Sequence, residues 1–205
     1  SNGTIADTNI LEDLIHKVDY IICAHGGARH FLDRSIKPDI IVGDFDSLDS
    51  KIISVLKGRG TEFVEFPANK DMTDTELAIE LAIEKGATYI TLIGGTGSRL
   101  DHTLGNIMLM RKFVDLDTKI KILDSNNEVY ITNSTLILER KKDTFVSIIP
   151  ITEVAKGVTL KGFKYNTDNV DFRIDTTLGI SNEIIDEKGI IEVKEGIFLV
   201  IRSRD

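Results

Sequence analysis

Near residue 124 the pattern of this chain changes, and that change limits the fold more than any single motif does. Up to Asp124, apolar runs of strand length at 20–24, 40–42, 61–66, 89–93 and 119–123 alternate with segments of helical spacing at 10–18, 48–57 and 104–113. A glycine turn after Ala24 opens a further helix to Leu32, and Thr73 opens another. Strands alternating with helices predict a parallel sheet. From Glu128 onward only short β-rich runs remain, at 129–132, 135–138, 145–149, 158–162, 190–193 and 197–201, separated by polar punctuation. The expected fold class is therefore α/β: an N-terminal doubly wound, Rossmann-like parallel sheet over 1–124, then a smaller antiparallel β-sandwich domain over 125–205. Asp124-Ser125-Asn126-Asn127 is the expected boundary.

Within the first half, the uninterrupted run Ile40-Ile41-Val42 reads as a strand buried on both faces, and Gly43-Asp44-Phe45-Asp46-Ser47 follows it without a gap. Ligands of open α/β sheets bind outside the carboxyl ends of the strands. If the chain stays extended there, Asp44 and Asp46 point one way and Phe45 points back into the core. Taken alone, the two aspartates are equally explained as turn and cap residues.

The pattern recurs after other strands. Asn69-Lys70-Asp71-Met72-Thr73-Asp74-Thr75-Glu76 precedes a helix, with Thr73 and Glu76 spaced as a capping box. The helix macrodipole accounts for Asp74 but not for Asp71, which lies before the cap. Gly94-Gly95-Thr96-Gly97-Ser98-Arg99-Leu100-Asp101-His102 follows the strand at 89–93, and His25-Gly26-Gly27-Ala28-Arg29-His30 follows the one at 20–24. Glycines at such points let backbone approach a ligand closely, and a guanidinium suits phosphate. Neither a Walker A loop nor a dinucleotide fingerprint is present.

Asp44, Asp46, Asp71, Asp74 and Asp101 thus converge on one sheet edge. Two bare carboxylates 4 Å apart repel by about 4 kcal/mol at an effective dielectric near 20, so such a gathering calls for a cation. Oxygen donors without Cys or His spacing select Mg²⁺ over zinc, and Mg²⁺ usually brings substrate phosphates with it. Arg29, Arg99 and the glycine loops would hold those phosphates, which makes phosphoryl or pyrophosphoryl transfer the expected chemistry. A net charge of −8 and a pI near 5.1 argue against nucleic acid as a partner. The single cysteine, Cys23, sits in an apolar run and leaves no intramolecular disulfide, as expected of a cytoplasmic protein. No apolar run reaches the roughly 20 residues needed to span a bilayer, and no signal-peptide pattern opens the chain. Ser1-Asn2 is also what a cleaved expression tag leaves behind.

Three of these stretches, Gly43 to Ser47, Lys70 to Ala78 and Gly97 to Asn106, resemble in order the signature stretches of the thiamin pyrophosphokinase family. Thr177-Leu178-Gly179-Ile180-Ser181-Asn182-Glu183 in the β-rich half is similar to that family's thiamin-contacting Ser-Asn-Glu segment. The resemblance implies transfer of a pyrophosphoryl group from ATP to the hydroxyethyl oxygen of thiamin, with release of AMP. It implies Mg²⁺ at Asp44, Asp46, Asp71 and Asp74, with Asp101 extending that catalytic group. Gly26, Gly27, Arg29, Thr96, Arg99 and His102 would contact the nucleotide, and Thr73, Ser181 and Asn182 the thiamin. It further implies a catalytic, ATP-binding domain over 1–124, a thiamin-binding and dimerisation domain over 125–205, and a homodimer with sites at the subunit junction. Which aspartate accepts the proton is open.

Two departures stand out. His25 occupies a position where the family usually has Asp, exchanging an anion for a group that titrates near neutrality, and the chain has no Trp, which some relatives stack on thiamin. A degenerate protein that binds thiamin or nucleotide without turnover, and a different Mg²⁺-dependent nucleotide transferase, are the competing readings.

Overall fold

The computed structural model describes residues 3, 5, 8–32, 36–46, 48–67 and 71–205, apart from the side chains of residues 8–10. The chain divides into two compact units, Ser1–Leu109 and Met110–Asp205. In the first, α1 (Thr8–Ile15), β1 (Ile22–Ala24), a 3-10 helix over His25–Phe31, β2 (Ile40–Gly43), α2 (Ser50–Gly58), β3 (Glu62–Glu65), α3 (Asp74–Glu84), β4 (Tyr89–Ile93) and α4 (Leu100–Leu109) follow one another. Ser1-Asn2, Ser47, Asn69 and Lys70 lie outside the described residues.

β1, β2 and β3 pair in parallel in that order. Every residue of β2 is buried, which is why its sequence is an unbroken β-branched run rather than an alternating one. Cys23, Ala28, Phe31, Ile41 and Leu56 form the core beneath it, with Phe45 and Phe63 packed against them. Burial pushes the Cys23 thiol up to about 12, so this side chain packs rather than reacts. α2 is capped by Asp49, whose carboxylate accepts from the Lys51 amide at 2.8 Å. α3 crosses back to pack on β1 and β2, which brings its N-terminus to the carboxyl ends of those strands. The helix expected after β1 is a 3-10 helix, in keeping with its adjacent glycines and short length. Among the described residues no helix is long and apolar enough to cross a membrane.

The second unit opens with a 3-10 turn over Met110–Phe113 and is otherwise all β: β5 (Lys119–Leu123), β6 (Asn127–Thr132), β7 (Thr135–Glu139), β8 (Phe145–Pro150), β9 (Val154–Lys161), β10 (Thr167–Arg173), β11 (Lys188–Glu192) and β12 (Phe198–Ser203). β5, β6, β12 and β8 pair antiparallel in that order, and β10, β9, β11 and β7 form a second antiparallel sheet. One core joins them, with Val146, Ile148, Phe198 and Val200 from one sheet and Leu138, Val158, Leu160, Phe172 and Ile191 from the other. Phe172 and Phe198 meet edge to face at 5.7 Å, an arrangement worth about 1 kcal/mol beyond the burial itself.

Asp124 to Asn127, the expected boundary, is a tight turn: the Asp124 carboxylate accepts from the amides of Asn126 at 2.8 Å and Asn127 at 2.7 Å, and β5 pairs directly with β6. The division into compact units falls after Leu109, before β5. β10 escaped the sequence reading because Thr-Asp-Asn-Val-Asp-Phe-Arg carries two apolar residues and its register on β9 shifts twice.

A buried ion network ties β6 to β12. Arg202, with 5% of its side chain exposed, donates from Nη1 to Glu128 Oε2 at 2.9 Å and from Nη2 to the Glu139 carbonyl at 2.7 Å. Glu128 also accepts from Lys141 at 2.6 Å and from the Tyr130 hydroxyl at 2.9 Å. Burial alone would raise the Glu128 carboxyl, but the hydrogen bonds from Lys141 and Tyr130 and the charges of Lys141 and Arg202 outweigh it and hold it below the ordinary range. A depressed folded-state value means that this stabilisation is complete above about pH 4.3 and is lost as the pH falls through the folded-state value. Glu128→Gln should cost about 3 kcal/mol at pH 7 by stranding Arg202, and should flatten the acid limb of urea-unfolding midpoints measured from pH 3 to 7. An unchanged acid limb would contradict this assignment.

Candidate active site

β1 and β2 end side by side, and the residue that follows β1 reaches across to the residue that follows β2. His25 is buried, with its Nδ1 3.2 Å from Asp44 Oδ1 and 3.8 Å from Asp74 Oδ2. Asp74 is the first residue of α3, so three elements deliver these three side chains to one point. The two carboxylates remain about 30% exposed, at 31% and 29%, so they stay open to a ligand. Gly43 makes the approach possible, because a side chain there would overlap His25 Cβ.

The chain does not stay extended after β2. Phe45 has φ 58, an uncommon left-handed conformation for a bulky residue, and the Leu48 amide closes the turn on the Phe45 carbonyl at 3.1 Å. Its ring nonetheless packs inward, edge-on to His25 at 5.9 Å and to Phe63 at 5.3 Å. Asp46 and Asp71 are exposed. Thr73 caps α3, its hydroxyl accepting from the Glu76 amide at 3.2 Å. Among the described residues no group of three or more His, Cys, Asp or Glu side chains is arranged to hold a metal ion.

The glycine loop after β4 is braced from α4. Asn106 donates to the Gly95 carbonyl at 2.7 Å, and the Thr103 hydroxyl accepts from the Gly97 amide at 3.1 Å. Sequence reasoning quoted both residues and gave neither a role; only their one- and two-turn offset from the loop hints that they reach back to it. Gly94 and Gly95 are buried, and Thr96 half-buried. Arg99 and Asp101, expected to serve phosphate and metal, form a fork with each other at the start of α4, Nε to Oδ1 at 3.2 Å and Nη2 to Oδ2 at 2.5 Å. The hydrogen bond from Arg99 holds the Asp101 carboxyl down to about 2. This pair is exposed, and Asp101 does not join Asp44 and Asp74. His102 and Arg29 are also exposed; Gly26 is half-buried and Gly27 buried.

In the second unit, Thr177 to Glu183 lies along the edge of β8. The Ile148 amide donates to the Gly179 carbonyl at 2.8 Å, and Val146 and Asn182 exchange hydrogen bonds at 2.7 and 3.0 Å. A side chain at Gly179 would overlap the Ile148 carbonyl, so the glycine lets the segment lie flat. Asn182 is buried and anchors its surroundings: Oδ1 accepts from the amides of Tyr165 at 3.1 Å and Glu183 at 2.9 Å, and Nδ2 donates to the Tyr165 carbonyl at 2.8 Å. Ser181 is exposed and left-handed, with φ 57.

Comparison with known proteins bears on both units. The model of the thiamin pyrophosphokinase catalytic domain matches residues 11–123, and that of the thiamin pyrophosphokinase vitamin B1 binding domain matches residues 133–198. The chain is 35% identical over 181 residues to thiamine pyrophosphokinase of Bacillus subtilis, covering 87% of this chain and 85% of that protein. The crystal structure of thiamine pyrophosphokinase from Bacillus subtilis superposes with a TM-score of 0.86 at 34% identity, over 97% of this chain and 95% of that one. The thiamin pyrophosphokinase of Geobacillus thermodenitrificans gives 0.82 at 34% identity, over 94% and 91%. A parallel sheet with helices followed by antiparallel sheets matches these relatives along nearly its whole length, and both domain models match in order: the chain belongs to the thiamin pyrophosphokinase family.

Proposed function

We propose that the chain transfers a pyrophosphoryl group from ATP to the hydroxyl of thiamin, giving thiamin diphosphate and AMP. What carries this reading is the meeting of Asp44 and Asp74 at one ring nitrogen in a chain matched by both family domains. In the reaction the hydroxyl oxygen bonds to the β-phosphorus, the bond from that phosphorus to the α–β bridging oxygen breaks, and the proton passes to a carboxylate. Asp46 and Asp71, both exposed, are the further carboxylates this reading assigns to that step.

The donor set fits Mg²⁺. This ion is held by one or two carboxylates together with substrate phosphates, so two facing aspartates suffice and a protein cage of three is not needed. Asp44 and Asp74 would hold it, with Asp46 and Asp71 as the other candidates, and when bound it supplies charge neutralisation on the phosphates. Gly26, Gly27, Arg29, Thr96 and His102 belong to the nucleotide side of this proposal. Arg99 joins them once its fork with Asp101 opens. Ser181 offers thiamin a hydroxyl, and Asn182 holds the segment in shape; the first unit is then catalytic and the second thiamin-binding. A cytoplasmic homodimer with shared sites belongs to the same reading. Its support is a set of apolar side chains left exposed in the second unit, among them Tyr165, Ile174, Leu178 and Ile180.

AMP and thiamin diphosphate should appear one for one from ATP, thiamin and Mg²⁺. Asp71→Ala should lower turnover at least about 100-fold with an unchanged melting temperature. Tight binding of thiamin with no AMP formed would identify a binding protein instead.

The thiamin segment gives a second test. Ser181→Ala should raise the KM for thiamin at unchanged kcat and leave stability within about 0.5 kcal/mol. Asn182→Ala should instead cost about 2 kcal/mol, because it strands the amide and carbonyl of Tyr165. Equal melting temperatures for the two variants would contradict this division of labour.

A further inference from the structure

We infer that Asn106 and Thr103 are positioning residues: from the second and first turns of α4 they pin the glycine loop after β4 in the shape that receives the phosphates of the nucleotide. The inference deepens the proposed function and rests on it for the identity of what the loop receives. Its basis is a pair of hydrogen bonds of opposite polarity, two residues apart in the loop. Asn106 Nδ2 donates to the Gly95 carbonyl at 2.7 Å, and the Thr103 hydroxyl accepts from the Gly97 amide at 3.1 Å. The hydroxyl proton has the Arg99 carbonyl, at 3.2 Å, to bond, which leaves a lone pair for that amide.

Both anchors face the loop for a helical reason. Thr103 and Asn106, three residues apart, share one face of α4, and helix side chains lean toward the N-terminus, the end at which the loop enters. Helix propensity favours neither residue. Asn competes for the backbone and Thr is β-branched, so both are poorer than Ala at an interior position. What they satisfy is the loop. Gly94, Gly95 and Gly97 place three glycines in four residues, a composition with much freedom to lose on ordering. With no brace, the peptide between Gly95 and Thr96 is free to turn its carbonyl oxygen toward an incoming phosphate, where like partial charges repel. The bond from Asn106 holds that oxygen to α4, and Gly95 itself is buried. Thr96, assigned above to the nucleotide side, lies between the two pinned positions. A loop already ordered in this way loses less freedom when the nucleotide binds.

The role is separable from packing because both side chains have uncharged replacements of similar size. Asn106→Leu loses the donor, Thr103→Val loses the hydroxyl, and Thr103→Ser keeps it. The probe is Mg²⁺ with an ATP analogue blocked between the α- and β-phosphates, whose dissociation constant is measured without turnover. It should rise about 10-fold or more in Asn106→Leu. In Thr103→Val it should rise about 3- to 10-fold, while Thr103→Ser stays within about twofold of the native value. The dissociation constant for thiamin should move less than about twofold in all three.

Unchanged nucleotide affinity in Asn106→Leu, or equal affinities in Thr103→Val and Thr103→Ser, would overturn the inference. An equal loss for thiamin, the mark of a merely structural role, would overturn it too. The Thr103 pair decides alone if Asn106→Leu does not fold. Native protein that binds the analogue but forms no AMP from ATP and thiamin would overturn the functional reading, while the same affinities still decide the brace. Native protein that does not bind the analogue would overturn both.

Discussion

The parallel pairing of β1 with β2 is the constraint on which the site depends. It puts Ala24 beside Val42, so the residues that leave the sheet next, His25 and Asp44, emerge as neighbours. The close contact of His25 with Gly43 and the left-handed turn at Phe45 then determine how they face each other. A left-handed Phe costs roughly 1–2 kcal/mol, which the packing of its ring against Phe63 and the core offsets. α3 completes the arrangement from a distance in sequence, because its return across β1 and β2 sets Asp74 opposite the same imidazole.

The fold was legible in the sequence wherever a local pattern had a tertiary cause acting in the same direction. Ile40 to Val42 reads as a central strand because it is covered on both faces, and Thr73 reads as a cap because its hydroxyl accepts from the Glu76 amide of α3. Legibility failed where the cause was remote. Asp124 to Asn127 does not read as a hairpin until the Asp124 carboxylate is seen closing it, and β10 looks like a loop because an edge strand needs few apolar residues. The acidic motifs recur after several strands, yet spacing alone could not tell Asp74, which turns toward His25, from Asp101, which turns toward Arg99. His25 itself was noticed as a departure from a family pattern. Its contact with Asp44 joins residues 19 positions apart, and no periodicity encodes that.

In the second unit the sandwich core supplies a rigid floor, and the segment from Thr177 to Glu183 is laid on the edge of β8 by backbone hydrogen bonds. Asn182 then fixes Tyr165 to the same place. A buried residue that shapes the segment thus sits beside an exposed neighbour, Ser181, that carries a hydroxyl. Rigid elements thus hold the side chains that chemistry requires, and short irregular stretches aim them.

The central claim is that Asp44 and Asp74, which approach each other at His25, form the cation-binding end of the nucleotide site. A crystal structure of the chain with Mg²⁺ and an ATP analogue blocked between the α- and β-phosphates tests it most directly. The account predicts the ion bound to an oxygen of Asp44 or Asp74 at about 2.1 Å and shared with the phosphates. An ion and triphosphate seated away from both aspartates would contradict it.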